Sequence, residues 1–136
     1  MLLLTFTLNQ IKFGIPLEEV EYIVDDGYKV ETSVSAKHIR GTAILRGEVV
    51  PIYHLSERLA FSANMKYGML VVVDCAGKRL GLEVESIDGI KYMEEFILAE
   101  IPPIIRKDTI CLKHAISYQG ELILVLDVAK LITEVS

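Results

Sequence analysis

The side chains that could do chemistry in this sequence are few and poorly spaced for it. Cys111-Leu112-Lys113-His114 sets a thiol three residues from an imidazole. A structural zinc needs four ligands, and the other candidates, Cys75, His38 and His54, stand at no matching spacing. A nucleophilic thiol needs a neighbouring base and an oxyanion donor around a cysteine of lowered pKa, and no such arrangement is visible. Glu18-Glu19, Asp25-Asp26 and Glu94-Glu95 are adjacent carboxylates. Neighbours in a strand point to opposite faces, so these pairs read as solvated surface, as does Arg106-Lys107-Asp108. No P-loop and no dinucleotide-binding glycine motif occurs. The expectation is a protein that is not an enzyme, with no catalytic residue, no metal and no cofactor, in which Cys75 and Cys111 are reduced and buried as free cysteines usually are. The competing reading is a small β-barrel enzyme with a reactive thiol or a metal at Cys111, which bound zinc or rapid alkylation would reveal.

The elements that would position any site are strands. Leu4, Phe6 and Leu8 alternate with Thr5 and Thr7, then Ile11, Phe13 and Ile15 alternate with Lys12 and Gly14. With Asn9-Gln10 as the turn this is a hairpin. Met69–Val73 is a β-branched run suited to a strand buried on both faces; Ala76-Gly77-Lys78 turns it into Leu80–Val84. Leu122–Leu126, entered through Gln119-Gly120, and Val49–Tyr53 are further runs. Pro51 cannot donate to a ladder, which predicts an edge or a bulge. Helical signal is thin. Pro16 would open a short helix at Leu17–Val20, and Leu55–Leu59 and Val128–Ile132 look like single turns closing each half. Residues 60–67 read as the mid-chain loop.

The chain has 136 residues, 51% of them hydrophobic, and a net charge of −5. That is one domain, or two small lobes sharing a core. Lys and Arg are scattered rather than gathered on a basic face, so no nucleic-acid partner is expected. No apolar run approaches the roughly 20 residues of a membrane span, and Met1–Phe6 lacks a basic leader and a cleavage site. No direct membrane insertion and a cytoplasmic location are expected.

The most informative feature is a duplication. Phe13–Ile23 set above Leu80–Ile90 brings apolar positions and one Gly into coincidence at an offset of 67. Leu45–Leu55 set above Tyr118–Val128 does the same for a Gly-Glu pair and an apolar run at an offset of 73. The difference falls in the segment holding Pro102-Pro103, where extra loop costs little. Two copies make no solenoid. Each offers about five short strands, the content of a small barrel, and neither alone buries enough surface. The expected architecture is all-β: two similar units, one built mainly from residues 1–60 and the other from 67–136, sharing an apolar interface, with strand exchange between them left open.

Ile39-Arg40-Gly41-Thr42-Ala43-Ile44-Leu45-Arg46-Gly47-Glu48-Val49-Val50-Pro51-Ile52-Tyr53-His54-Leu55 resembles the signature of the CheW-like family: a Gly ahead of Asn-Leu-Arg-Gly, then a Val-Val-Pro strand and an Asp-Leu. Phe6–Ile23 resembles that family's opening hairpin, Leu70–Ile90 its second, with Gly81 and an acidic residue at Glu85, and Leu122–Leu131 its closing strand. The resemblance covers nearly the whole of residues 1–136 as a single CheW-like domain. It implies two SH3-like five-stranded barrels around a shared hydrophobic core, with only short helical turns. It also implies a scaffold coupling the cytoplasmic tip of a chemoreceptor to a chemotaxis histidine kinase through the kinase's related regulatory domain, with the receptor tip in an apolar groove between the barrels. The sequence departs from the pattern in having Ile44 for the Asn, His54 for the Asp, Lys113 or His114 for a Gly ahead of the last hairpin, and an end at Ser136 where many members continue. These departures motivate an alternative, a divergent adaptor serving another receptor and kinase pair.

Five residues are singled out for receptor binding: Leu17, Val20, Arg46, Val84 and Ile87. Arg46 matches the family's motif Arg near the receptor groove, and a guanidinium fork can fix a helix in register through a carboxylate. Val20 and Ile87 hold the same position in the two copies. An approximate twofold would bring both to the seam, where an apolar groove accepts helical i, i+3, i+4 side chains. Gly47 and Gly120 are expected to serve turns needing positive φ, with no binding role.

Overall fold

The computed structural model describes residues 1–25, 27–32, 38–55, 68–103 and 111–135. Residues 56–59 of one expected helical turn, the expected loop at 60–67 and the charged turn at 106–108 lie outside these.

The first strands are β1 (Leu2–Leu8), β2 (Ile11–Pro16), β3 (Val20–Val24), β4 (Ile39–Leu45) and β5 (Glu48–Tyr53). A second series follows as β6 (Met69–Cys75), β7 (Lys78–Val84), β8 (Ser86–Tyr92), β9 (Ile97–Ala99), β10 (Leu112–Tyr118) and β11 (Glu121–Leu126). A 3-10 turn at Leu17–Glu19 joins β2 to β3, and helix α1 spans Val128–Glu134. The offset of 67 carries β1, β2 and β3 onto β6, β7 and β8, and the offset of 73 carries β4 and β5 onto β10 and β11.

The two sheets run β8-β1-β2-β11-β10-β9 and β3-β6-β7-β5-β4. The same offsets turn one order into the other, apart from β9. Each half lends its central hairpin to the other half's sheet: β1–β2 lies among β8–β11, and β6–β7 lies among β3–β5. The exchange is sealed by two parallel pairings, Val125 opposite Gly14 and Ile52 opposite Gly81, which are the same pair in the two copies. This close crossing accounts for the glycine shared by both copies. A Cβ on Gly81 would lie 2.9 Å from Ile52 Cδ1, and one on Gly14 would lie 3.1 Å from Ile123 Cγ2.

Burial follows the exchange. Strands β1, β2, β6 and β7 are covered on both faces, as the unbroken apolar run of β6 predicted. One face of each feeds a shared core holding Phe6, Phe13, Tyr53, Val71, Val73, Leu82 and Leu126. The other face feeds a smaller core inside each barrel, Val50, Ile52, Leu70 and Val72 in one and Leu3, Ile116, Ile123 and Val125 in the other. Helix α1 plugs the shared core with Val128, Leu131 and Ile132, the i, i+3, i+4 face of a helix, and Asp127 caps it by accepting from the Lys130 N–H at 3.1 Å.

Four two-residue turns, Asn9-Gln10, Arg46-Gly47, Ala76-Gly77 and Gln119-Gly120, hold positive φ at both residues. That is the primed geometry matching strand twist, and it places Gly47 and Gly120 as expected. Pro51 differs from expectation. Strand β5 lies inside its sheet, between β7 and β4. The ladder tolerates the proline because Thr42, its partner across β4, directs its own N–H and C=O to Glu31 (3.0 and 2.8 Å), and pairing to β7 begins only at Ile52.

Candidate functional site

Edge strands β3 and β8 carry the most informative surface. Each has one extra residue where it joins the exchanged hairpin. Val20 stands opposite Val73, Tyr22 opposite Val72 and Ile23 opposite Val71, so Glu21 is the bulged residue. In the second copy Ile87 stands opposite Phe6, Gly89 opposite Thr5 and Ile90 opposite Leu4, so Asp88 is bulged. A bulge shifts the alternation by one. Val20 and Ile23, three apart, therefore share a face, as do Ile87 and Ile90. Residues directly opposite in an antiparallel pair share a face too, and Val71, Val73, Leu4 and Phe6 all belong to the shared core. Both bulged strands thus aim two apolar side chains at the seam between the barrels.

The inner pair, Val20 and Ile87, is half-buried against that core. The outer pair extends into solvent, Ile23 at 39% and Ile90 at 57% exposure. Leu17 continues this strip from the 3-10 turn and lines a shallow recess of about 490 Å³ with Met1, Leu2, Glu18 and Tyr92. Val84 is fully buried within the shared core, because both faces of β7 are covered there. It shapes the floor and offers no surface of its own.

Arg46 stands apart from this strip. It occupies the β4–β5 turn, with its guanidinium carbon 3.8 Å from the centroid of the Tyr22 ring. Tyr22 packs against the core inside the first barrel, so Arg46 lies on the side of β3 away from the seam. Burial pushes the Tyr22 phenol up, and Arg46 opposes that shift. Ion pairs surround the pair. Arg79 reaches Glu48 at 2.6 Å and also bonds Glu21, whose carboxyl it holds below the usual range. The duplication preserves part of this frame: Lys12 and Glu121, 2.9 Å apart, are the counterparts of Arg79 and Glu48. It does not preserve the cation over the ring, since Gln119 and Gly89 stand where Arg46 and Tyr22 do.

Beside Arg46, Ile44 and Val49 face each other across the hairpin at 74% and 68% exposure. The far end of the molecule has a second exposed apolar set, Phe96, Ile97 and Leu98 on and beside the terminal strand β9. Phe96 and Ile97 line a recess of about 810 Å³ together with Tyr92 and Tyr118.

Cys111 is fully buried and Cys75 half-buried. Among the described residues no three His, Cys, Asp or Glu side chains gather to hold a metal. His114 occupies the place of Gly41 in the other copy, beside a bulge that both copies share. His54 likewise stands where Asp127 caps α1. No helix among the described residues is long and apolar enough to cross a membrane.

Sequence reasoning singled out Leu17, Val20 and Ile87 but passed over Ile23 and Ile90. The signal was present, since those two coincide at the offset of 67, but their common face depends on the bulges.

A duplicated pair of barrels with exchanged hairpins, with β3 and β8 at the sheet edges among the described residues, defines a strand-exchanged β scaffold. A model of the CheW-like domain matches residues 2–136, and the chain belongs to that family, whose members couple chemoreceptors to a kinase. The chemotaxis protein CheW of Thermotoga maritima is 22% identical over 134 residues, covering 98% of this chain and 88% of the relative. The crystal structure of the scaffolding protein TtCheW from Thermoanaerobacter tengcongensis superposes with a TM-score of 0.79 at 20% identity, covering 93% of this chain and 88% of that one.

Proposed function

We propose that this chain is a non-enzymatic cytoplasmic adaptor that docks the cytoplasmic tip of a chemoreceptor on the seam-facing strip and holds the regulatory domain of a chemotaxis histidine kinase at an exposed barrel edge. The observation that carries the receptor half is the repeated geometry of β3 and β8, which sets Val20 and Ile23 in the same bulged register as Ile87 and Ile90. A helical hairpin presents apolar side chains at i, i+3 and i+4, and such a strip accepts them. Leu17 extends the strip and Val84 supports it from below. Arg46 acts from the flank, where it is preordered over Tyr22. For the kinase, the exposed Ile97 and Leu98 on terminal strand β9 are the best-suited edge. Single contacts of this kind are modest and gain strength from many copies in an array.

Reconstitution of kinase activity with receptor fragments tests this reading. Ile90→Asp is expected to remove receptor-dependent control with the fold intact, and Arg46→Glu to abolish coupling in the same way. Normal kinase control by both variants would contradict it. Ile44, exposed at 74% where the family motif has Asn, favours a second reading in which the adaptor serves a divergent receptor and kinase pair. A pull-down against the host's receptors and kinases separates the two.

A further inference from the structure

The strip has an acidic border that the duplication has kept in both copies. Glu18 and Glu85 are equivalent residues 67 positions apart, each two residues ahead of the inner apolar residue, Val20 or Ile87. Glu18 is exposed, lines the recess beside Leu17, and has no ion-pair partner among the described residues. Glu85 accepts a hydrogen bond from the Asn9 backbone N–H and likewise has no cation beside it among the described residues. Lys91 is held by Glu121 at 2.7 Å, and the Met1 ammonium, in the same recess as Glu18, donates to the Met93 carbonyl at 3.1 Å. An apolar strip bordered at both copies by unneutralised carboxylates selects its guest by charge as well as by shape.

We infer that the helix this strip accepts carries Lys or Arg on both borders of its apolar stripe. The inference rests on the docking reading of the strip and names the chemistry of the partner. It also argues against a second copy of this chain as the occupant, because a twofold contact through the strip would set the same carboxylates against each other.

The test uses two synthetic amphipathic helical peptides with the same Leu/Ile stripe, one bordered by Lys and its twin bordered by Glu, titrated against the full chain by fluorescence anisotropy. At low salt the Lys-bordered peptide is expected to bind about tenfold tighter than its twin. That preference should shrink at high salt and largely vanish in the Glu18→Gln/Glu85→Gln double variant, which changes charge with little change in shape. Equal or tighter binding of the Glu-bordered twin overturns the inference, as does a preference that survives the double variant. A neutral variant, Ile90→Ser, separates this failure from that of the docking reading. If it weakens both peptides while the charge preference is absent, the strip stands and its acidic border does not select. If it leaves both unchanged, the strip is not the docking surface and both readings fall.

Discussion

Glu83 offers the sharpest test of how the exchanged hairpin is held. Its carboxylate lies in β7 at 1% exposure and accepts Arg40 Nε at 2.7 Å, Arg40 Nη2 at 2.9 Å and the Tyr28 hydroxyl at 2.9 Å. Arg40 and Tyr28 belong to the first half of the chain and β7 to the second, so this clamp ties the borrowed hairpin to its host barrel. The second barrel has Pro16 at the equivalent place, which offers no carboxylate to clamp. Breaking a buried ion pair costs about 3–5 kcal/mol, but the Arg40 side chain is 38% exposed and can rehydrate. The cost of Glu83→Ala is therefore about 2–3 kcal/mol after discounting for solvent. For a chain of this size that is a fall in Tm of about 8–12 °C. Urea and thermal melts of Glu83→Ala, Arg40→Met and the double variant measure both the cost and the coupling. A loss below about 0.5 kcal/mol for Glu83→Ala, the range of an ordinary surface substitution, or a coupling near zero, would refute the clamp.

Other outcomes follow from the same geometry. The Lys91 and Lys12 hydrogen bonds hold the exposed Glu121 carboxyl down at about 2, against an ordinary value of 4.5. Its folded form therefore binds fewer protons than its unfolded form as pH falls through that window. Whatever stability it contributes is fully present above about 4.5 and lost as pH drops toward 2; an NMR titration of Glu121, and a flatter acid limb in Glu121→Gln, check this. A Cβ on Gly41 would sit 2.3 Å from the Glu31 carbonyl oxygen, so Gly41→Ala is expected to cost about 1–3 kcal/mol through overpacking in a urea melt. Arg46→Glu gives up the contact over Tyr22, worth about 0.5–1 kcal/mol at an exposed site, so it should lower the melting curve only slightly while abolishing receptor-dependent kinase control.

Much of the fold was legible because the duplication is written in apolar periodicity. The hairpins at Leu4–Ile15 and Met69–Val84 and the closing strand at Leu122–Leu126 follow from alternation and turns alone. The offsets carry strands onto strands in the structure. The exchange of hairpins was anticipated only in outline, since the Val125–Gly14 and Ile52–Gly81 pairings join segments far apart in sequence, where local period is silent. Pro51 reads as the mark of an edge or a bulge because its neighbours' hydrogen bonds are invisible in sequence. The strip was half legible for a related reason. Alternation alone puts Ile23 on the face opposite Val20, and the bulged Glu21 reverses that. Val84 reads as an equally good groove residue until both faces of its strand are seen to be covered.

The most direct measurement is a map of amide chemical-shift changes as a receptor signalling-tip fragment is titrated into the isotope-labelled chain. The account predicts that the changes concentrate at Val20, Ile23, Ile87 and Ile90 on both bulged strands, with Leu17 beside them. Changes confined to β9 or to the β10–β11 turn, with β3 and β8 silent, would contradict it.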